Sequence, residues 1–148
     1  MGTITFKIGS NEEIWELIDK SINHVFIHKF DPHEVISWWD CSLKNDHGLS
    51  LENTSVRNMS FDLQTNLEGL KKILALNTRY LNIYQFKTPV PDTLTIEHLP
   101  ENSKDKILAQ NGLEHVIFIE FEFATIKSSN SEYLKATKEK INPINSDQ

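Results

Sequence analysis

The chain opens with an alternation of apolar and polar residues. Ile4, Phe6 and Ile8 fall on one side of Thr3–Ile8, with Thr3, Thr5 and Lys7 on the other, which predicts a half-buried strand. Ser10-Asn11-Glu12-Glu13 follows as an S-x-x-E capping box, in which the Ser10 hydroxyl and Glu13 carboxylate satisfy free helix donors. Ile14, Leu17, Ile18, Ser21, Ile22 and Val25 then form one helical stripe, with Glu12, Glu16, Asp19 and Lys20 outside it.

Asp31-Pro32-His33-Glu34 supplies a second helix start. The alternation of Val35, Ser37, Trp39, Cys41 and Leu43, and the β-branched and aromatic content, favour a short turn followed by a strand. Asn45-Asp46-His47-Gly48 reads as a turn. Arg57, Met59, Phe61 and Leu63 mark one face of a further strand. Thr65 or Asn66 then caps a helix through Leu67, Leu70, Ile73, Leu74 and Ala75 that closes near Asn77. Tyr80–Thr88 and Thr93–His98 are expected strands around Pro89-Val90-Pro91-Asp92, where the prolines resist helix. Glu101–Gln110 is a short helix ending at a left-handed cap at Asn111-Gly112.

Glu114–Lys127 is the longest expected strand. His115, Ile117, Ile119, Phe121 and Phe123 make one apolar face that should be buried. On the other face Glu114, Val116, Phe118, Glu120, Glu122 and Ala124 begin apolar and become a carboxylate row. There Glu120 and Glu122 stand about 7 Å apart by strand rise and face solvent. From Ser128 the chain turns polar. These elements predict an α+β fold, a mostly antiparallel sheet of about five to six strands with two or three helices packed on one face. The domain is expected over residues 1–128, with 129–148 a polar C-terminal tail or loosely held helix whose removal leaves a cooperative core.

Composition agrees with this picture. At 148 residues and 39% apolar content the chain suits one domain that needs neither disulfide nor metal to fold. Its single cysteine excludes an internal disulfide framework and points to a reducing compartment. The N-terminal residues show no basic-then-apolar leader and no apolar run approaches membrane-spanning length, so the expectation is a soluble cytoplasmic protein. The net charge is −6, with the acidic excess in residues 1–126, so nucleic acid and anionic membranes are poor partners and a basic protein is a better one.

Candidate chemistry is sparse. The five glycines are too scattered for a phosphate cradle. His24 and His28 have the i, i+4 spacing of a helical zinc pair, yet Val25 stands where a metalloprotease has glutamate, and HVFIHKF also reads as a strand. No metal or cofactor is expected. Cys41 lacks a nucleophile turn and reads as a structural thiol. Glu97-His98 and Glu114-His115 are adjacent pairs, which in strands point to opposite faces. One indole of Trp38-Trp39 faces outward if that segment is a strand, a candidate binding hot spot.

Two functions fit. The first is a small acidic binding protein that neutralises a basic partner, as an immunity protein or antitoxin does for a toxin or nuclease, docking through Glu120, Glu122, Glu114, Asp40 and Trp38. The second is a small α+β enzyme or ligand-binding domain with a pocket lined by Trp38, Tyr84 and one of His98 or His115. A homodimer fits either reading.

Overall fold

The computed structural model describes residues 2–30, 54–57, 60–75, 80–90, 94 and 99–141. Trp38, Asp40, Cys41, His98 and the expected strands at 35–43 and 93–98 lie outside the described residues, Leu94 excepted. The elements are β1 (Gly2–Lys7), α1 (Glu12–Trp15), β2 (His24–Phe30), β3 (Thr54–Arg57), β4 (Ser60–Thr65), α2 (Leu67–Leu74), β5 (Tyr80–Phe86), α3 (Lys104–Gln110), β6 (Leu113–Glu120), β7 (Phe123–Ser128) and α4 (Ser131–Lys140). Among the described residues the strands form one seven-stranded sheet in the order β1-β7-β6-β5-β2-β4-β3. Every pairing is antiparallel, so the molecule is α+β as the element order predicts.

Alternation along the central strands gives the sheet two apolar faces. On one, Phe6, Ile83, Ile117 and Ile126 meet Ile14 of α1, Leu70 and Ile73 of α2, and Leu134 of α4, all buried. Each fully buried aliphatic or Phe side chain contributes about 1.5–3 kcal/mol, so this face carries most of the apolar stabilisation. On the other, Phe26, Tyr84, Phe86 and Val116 pack with Leu108 of α3. The helices therefore occupy both faces rather than one. Among the described residues α3 covers only part of the second face, and none of them covers the area over β1, β7 and the end of β6.

Two asparagines hold helix starts. Asn66 Oδ1 accepts from the Gly69 N–H at 2.9 Å, and Asn130 Oδ1 from the Tyr133 N–H at 3.0 Å. Gly112 adopts φ +91° after α3, the left-handed cap expected there.

Three sequence expectations are corrected, and two open alternatives are decided. The helix expected from Ser10 to Val25 shrinks to Glu12–Trp15, and Ser10 does not cap it. The N-cap is Asn11, without a side-chain cap bond, and Glu13 Oε2 accepts from the Gly9 N–H instead. Ile14, Leu17, Ile18, Ile22 and Val25 are all buried nonetheless, because turns and then β2 carry the same apolar positions onto the core. The strand expected through residues 57–63 is the β3–β4 hairpin, with Arg57 opposite Ser60. Of the two readings of HVFIHKF, the strand holds: His24 and His28 lie on β2, about 13 Å apart along an extended chain. The long strand at 114–127 is two strands joined at Phe121-Glu122, with Glu120 opposite Phe123. The polar C-terminal segment forms α4, with Leu134 buried against the core.

Candidate functional site

The β6–β7 turn sets the most exposed apolar surface among the described residues. Glu120 closes β6, Phe123 opens β7, and two residues connect them. Phe121, the first of the two, adopts φ +56°, a value glycine serves best at that position of a tight hairpin. The reversal also overturns the expected burial of Phe121 and Phe123, which are 50% and 41% exposed. The ring of Phe121 rests edge-on against Tyr80, centroids 4.8 Å apart. Glu120 and Glu122 are exposed as expected, one on each side of Phe121. Glu122 reaches Lys7 at 3.7 Å, but both side chains are more than half exposed, so this pair contributes little to stability.

An open cleft of about 810 Å³ runs from this turn across the uncovered part of the sheet. Phe118, Thr125 and Thr5 line its floor, and Gly9, Ser10 and Asn11 form the wall opposite the turn. Thr5 and Thr125 join their hydroxyls at 3.2 Å, and Lys127 Nζ lies 5.5 Å from the centre of the Phe118 ring. Aromatic and methyl groups at the base with carboxylates at the rim make a surface suited to apolar contact and to positive charge.

A second constellation is buried beneath the opposite face. His115 is fully buried, with Nδ1 2.6 Å from Ser128 Oγ and Nε2 2.8 Å from Asp19 Oδ2. Ser128 Oγ also accepts from the Asn130 N–H at 2.9 Å. Tyr133 covers the imidazole, ring centroids 4.0 Å apart, and donates its O–H to the Leu17 carbonyl at 2.6 Å. Burial pushes the Tyr133 phenol up to about 12, partly opposed by a hydrogen bond with Thr137. Burial alone would raise the Asp19 carboxyl, but hydrogen bonds from Ser21 and His115 outweigh it and leave the group below its ordinary value.

Glu114 joins this cluster through a backbone irregularity. The β5–β6 register runs Gln85 to His115 and then Phe86 to Leu113, leaving Glu114 without an opposite residue. At such a bulge neighbouring side chains no longer diverge, so Glu114 Oε2 comes within 3.5 Å of His115 Nε2. The expectation that this adjacent pair cannot cooperate is thereby corrected. Glu114 is 7% exposed, and its other oxygen meets Lys87 Nζ at 2.7 Å.

Of the candidate docking residues, Glu120 and Glu122 stand together at the turn. Glu114 is buried at the far end of β6, about 20 Å from Glu120 by strand rise. Trp38 and Asp40 lie outside the described residues. Tyr84 and His115, proposed walls of one pocket, are buried in opposite faces of the sheet and share none. The connectivity Ser128–His115–Asp19 has the order of a hydrolytic relay. Yet Ser128 is 1% exposed and its oxygen is already engaged, so it presents no nucleophile to a substrate. Spacing in the sequence could not reveal this group, since its members come from three distant segments. No family model, curated protein or solved structure matches the chain. Among the described residues no helix is long and apolar enough to cross a membrane.

Proposed function

We propose that the protein is a cytoplasmic binding module that captures a basic protein, in the manner of an immunity protein or antitoxin acting on a toxin or nuclease domain. One observation carries the reading. A phenylalanine occupies a positive-φ turn position, half exposed, between two exposed carboxylates. Turn chemistry does not favour that residue there, since glycine relieves the backbone and a polar group suits the solvent, and the edge-on contact with Tyr80 offsets only the strain. Aromatic side chains are enriched at protein interfaces, where they supply area and anchor pockets. The net charge of −6 and the carboxylates at the turn complement a cationic partner and would speed its encounter.

The test is calorimetric titration against purified basic proteins, beginning with the product of a neighbouring reading frame where that product is basic. Glu120→Lys combined with Glu122→Lys should weaken association and flatten its salt dependence. Stability should stay within about 0.5 kcal/mol, as for exposed charges generally. Phe121→Ala combined with Phe123→Ala should speed dissociation. Binding untouched by both double variants would reduce this surface to a solvated turn and refute the reading.

A further inference from the structure

We infer that Asp19, Glu114 and His115 form a binding site for a divalent cation of the zinc type. The inference is independent of the docking surface, which lies at the other end of β6. One ligand atom from each residue falls within 4.8 Å of the other two. Nε2 stands 2.8 Å from Asp19 Oδ2 and 3.5 Å from Glu114 Oε2. Zinc bonds to nitrogen and oxygen are about 2.0–2.2 Å, which places neighbouring ligand atoms roughly 3–3.5 Å apart around the ion. The two separations from Nε2 already lie near that range, and the carboxylate oxygens, within 4.8 Å of each other, close on an ion by side-chain rotation.

Electrostatics gives the same result. Two carboxylates converge on one imidazole nitrogen in a largely buried setting, where like charges are held together only by positive charge between or beside them. Without metal, an Nε2 proton and Lys87 serve; a divalent cation replaces the proton and leaves Lys87 on the outer oxygen of Glu114. Lys87 is 63% exposed along its side chain, free to adjust as the charge changes. The side chain of Asp19, 17% exposed, gives the ion a way in from the surface.

Two neighbours suit a metal centre. Gln85 sits directly opposite His115 in the sheet and is 1% exposed. Its Nε2 donates to the Asp19 carbonyl at 2.9 Å, which sets the amide beside the cluster, while its Oε1 is buried without a hydrogen-bond partner. That oxygen is an unsatisfied acceptor on a residue tied to the Asp19 backbone, available to a water on the ion. Ser128 is the outer partner of the imidazole. Its hydroxyl donates to Nδ1 when the proton is on Nε2, and accepts from Nδ1–H when Nε2 binds metal. A hydrogen-bonded second nitrogen of this kind orients metal-binding histidines generally. Two carboxylates and an imidazole suit Zn²⁺ better than Ca²⁺ or Mg²⁺, which favour all-oxygen sets.

The experiment is titration of the chelator-treated full chain with ZnCl₂, followed by calorimetry and by thermal melting. One equivalent should bind and raise the melting temperature, since a ligand specific to the folded state stabilises it by mass action. Glu114→Gln and Asp19→Asn, two near-isosteric changes, should each abolish that stoichiometric binding while circular dichroism stays native. Should one of the two fail to fold, the other decides. Ser128→Ala should weaken binding by about 10- to 100-fold, and His24→Ala with His28→Ala should leave it unchanged. Absence of stoichiometric zinc in the folded protein would overturn the site. So would undiminished affinity in Glu114→Gln, which would assign the ion to surface groups.

Discussion

Phe121 allows backbone and side-chain contributions to be separated with two substitutions. The ring is already 50% exposed, so its removal forfeits roughly half of the 1.5–3 kcal/mol of full burial, about 1 kcal/mol. Losing the edge-on contact with Tyr80 costs about 1 kcal/mol more. Phe121→Ala and Phe121→Gly share both losses. They differ at the backbone, where φ is +56°. Alanine keeps a Cβ in that conformation, at about 1–2 kcal/mol. Glycine escapes it but adds about 0.5–1 kcal/mol of chain entropy lost on folding. Phe121→Ala should therefore be less stable than the parent by about 2 kcal/mol, and Phe121→Gly should recover about 0.5–1 kcal/mol of that. Urea unfolding followed by tryptophan fluorescence measures the difference, as a shift in midpoint at constant slope. In ordinary strand and helix interiors the order is reversed, alanine above glycine. Finding alanine equal to or above glycine here would show that the turn is not left-handed at Phe121, and the argument for an interface residue would fall with it.

Leu134→Ala should cost about 2–4 kcal/mol, because the side chain is 9% exposed and packed into the main core beneath β1. A loss well below 1 kcal/mol in urea unfolding would mean that α4 is loosely held. Tyr133 should make the protein alkali-sensitive. Its folded value of about 12 exceeds the ordinary 10.0, so the unfolded chain ionises first. Stability from this group is complete below pH 10 and declines as pH rises through 12, by up to about 3 kcal/mol. Ultraviolet titration of the phenolates should show a late-ionising step that Tyr133→Phe removes. Absence of that step would refute the buried placement.

Local chemistry was enough to read much of the framework from the chain. β1, α2, β5 and α3 follow from period-2 or helical spacing together with caps whose residues act within one turn, Asn66 and Gly112 among them. The carboxylates of Glu120 and Glu122 were readable as exposed for the same reason. The two-residue loop inverts the parity of alternation, moving the buried set from Ile117 and Ile119 to Ala124 and Ile126, but the reversal was hidden because Phe121 and Phe123 continue the odd-numbered apolar row. The early helix was overestimated because Leu17, Ile18 and Ile22 are buried whether the backbone is helical or turning. The tertiary structure alone decided the buried cluster. A one-residue bulge rotates Glu114 toward His115, and the turn after α1 delivers Asp19 from ninety-six residues away in the chain. Periodicity reports which side of an element each residue occupies. Which polar groups then meet inside depends on how the faces are stacked, and the energy of those meetings is non-local.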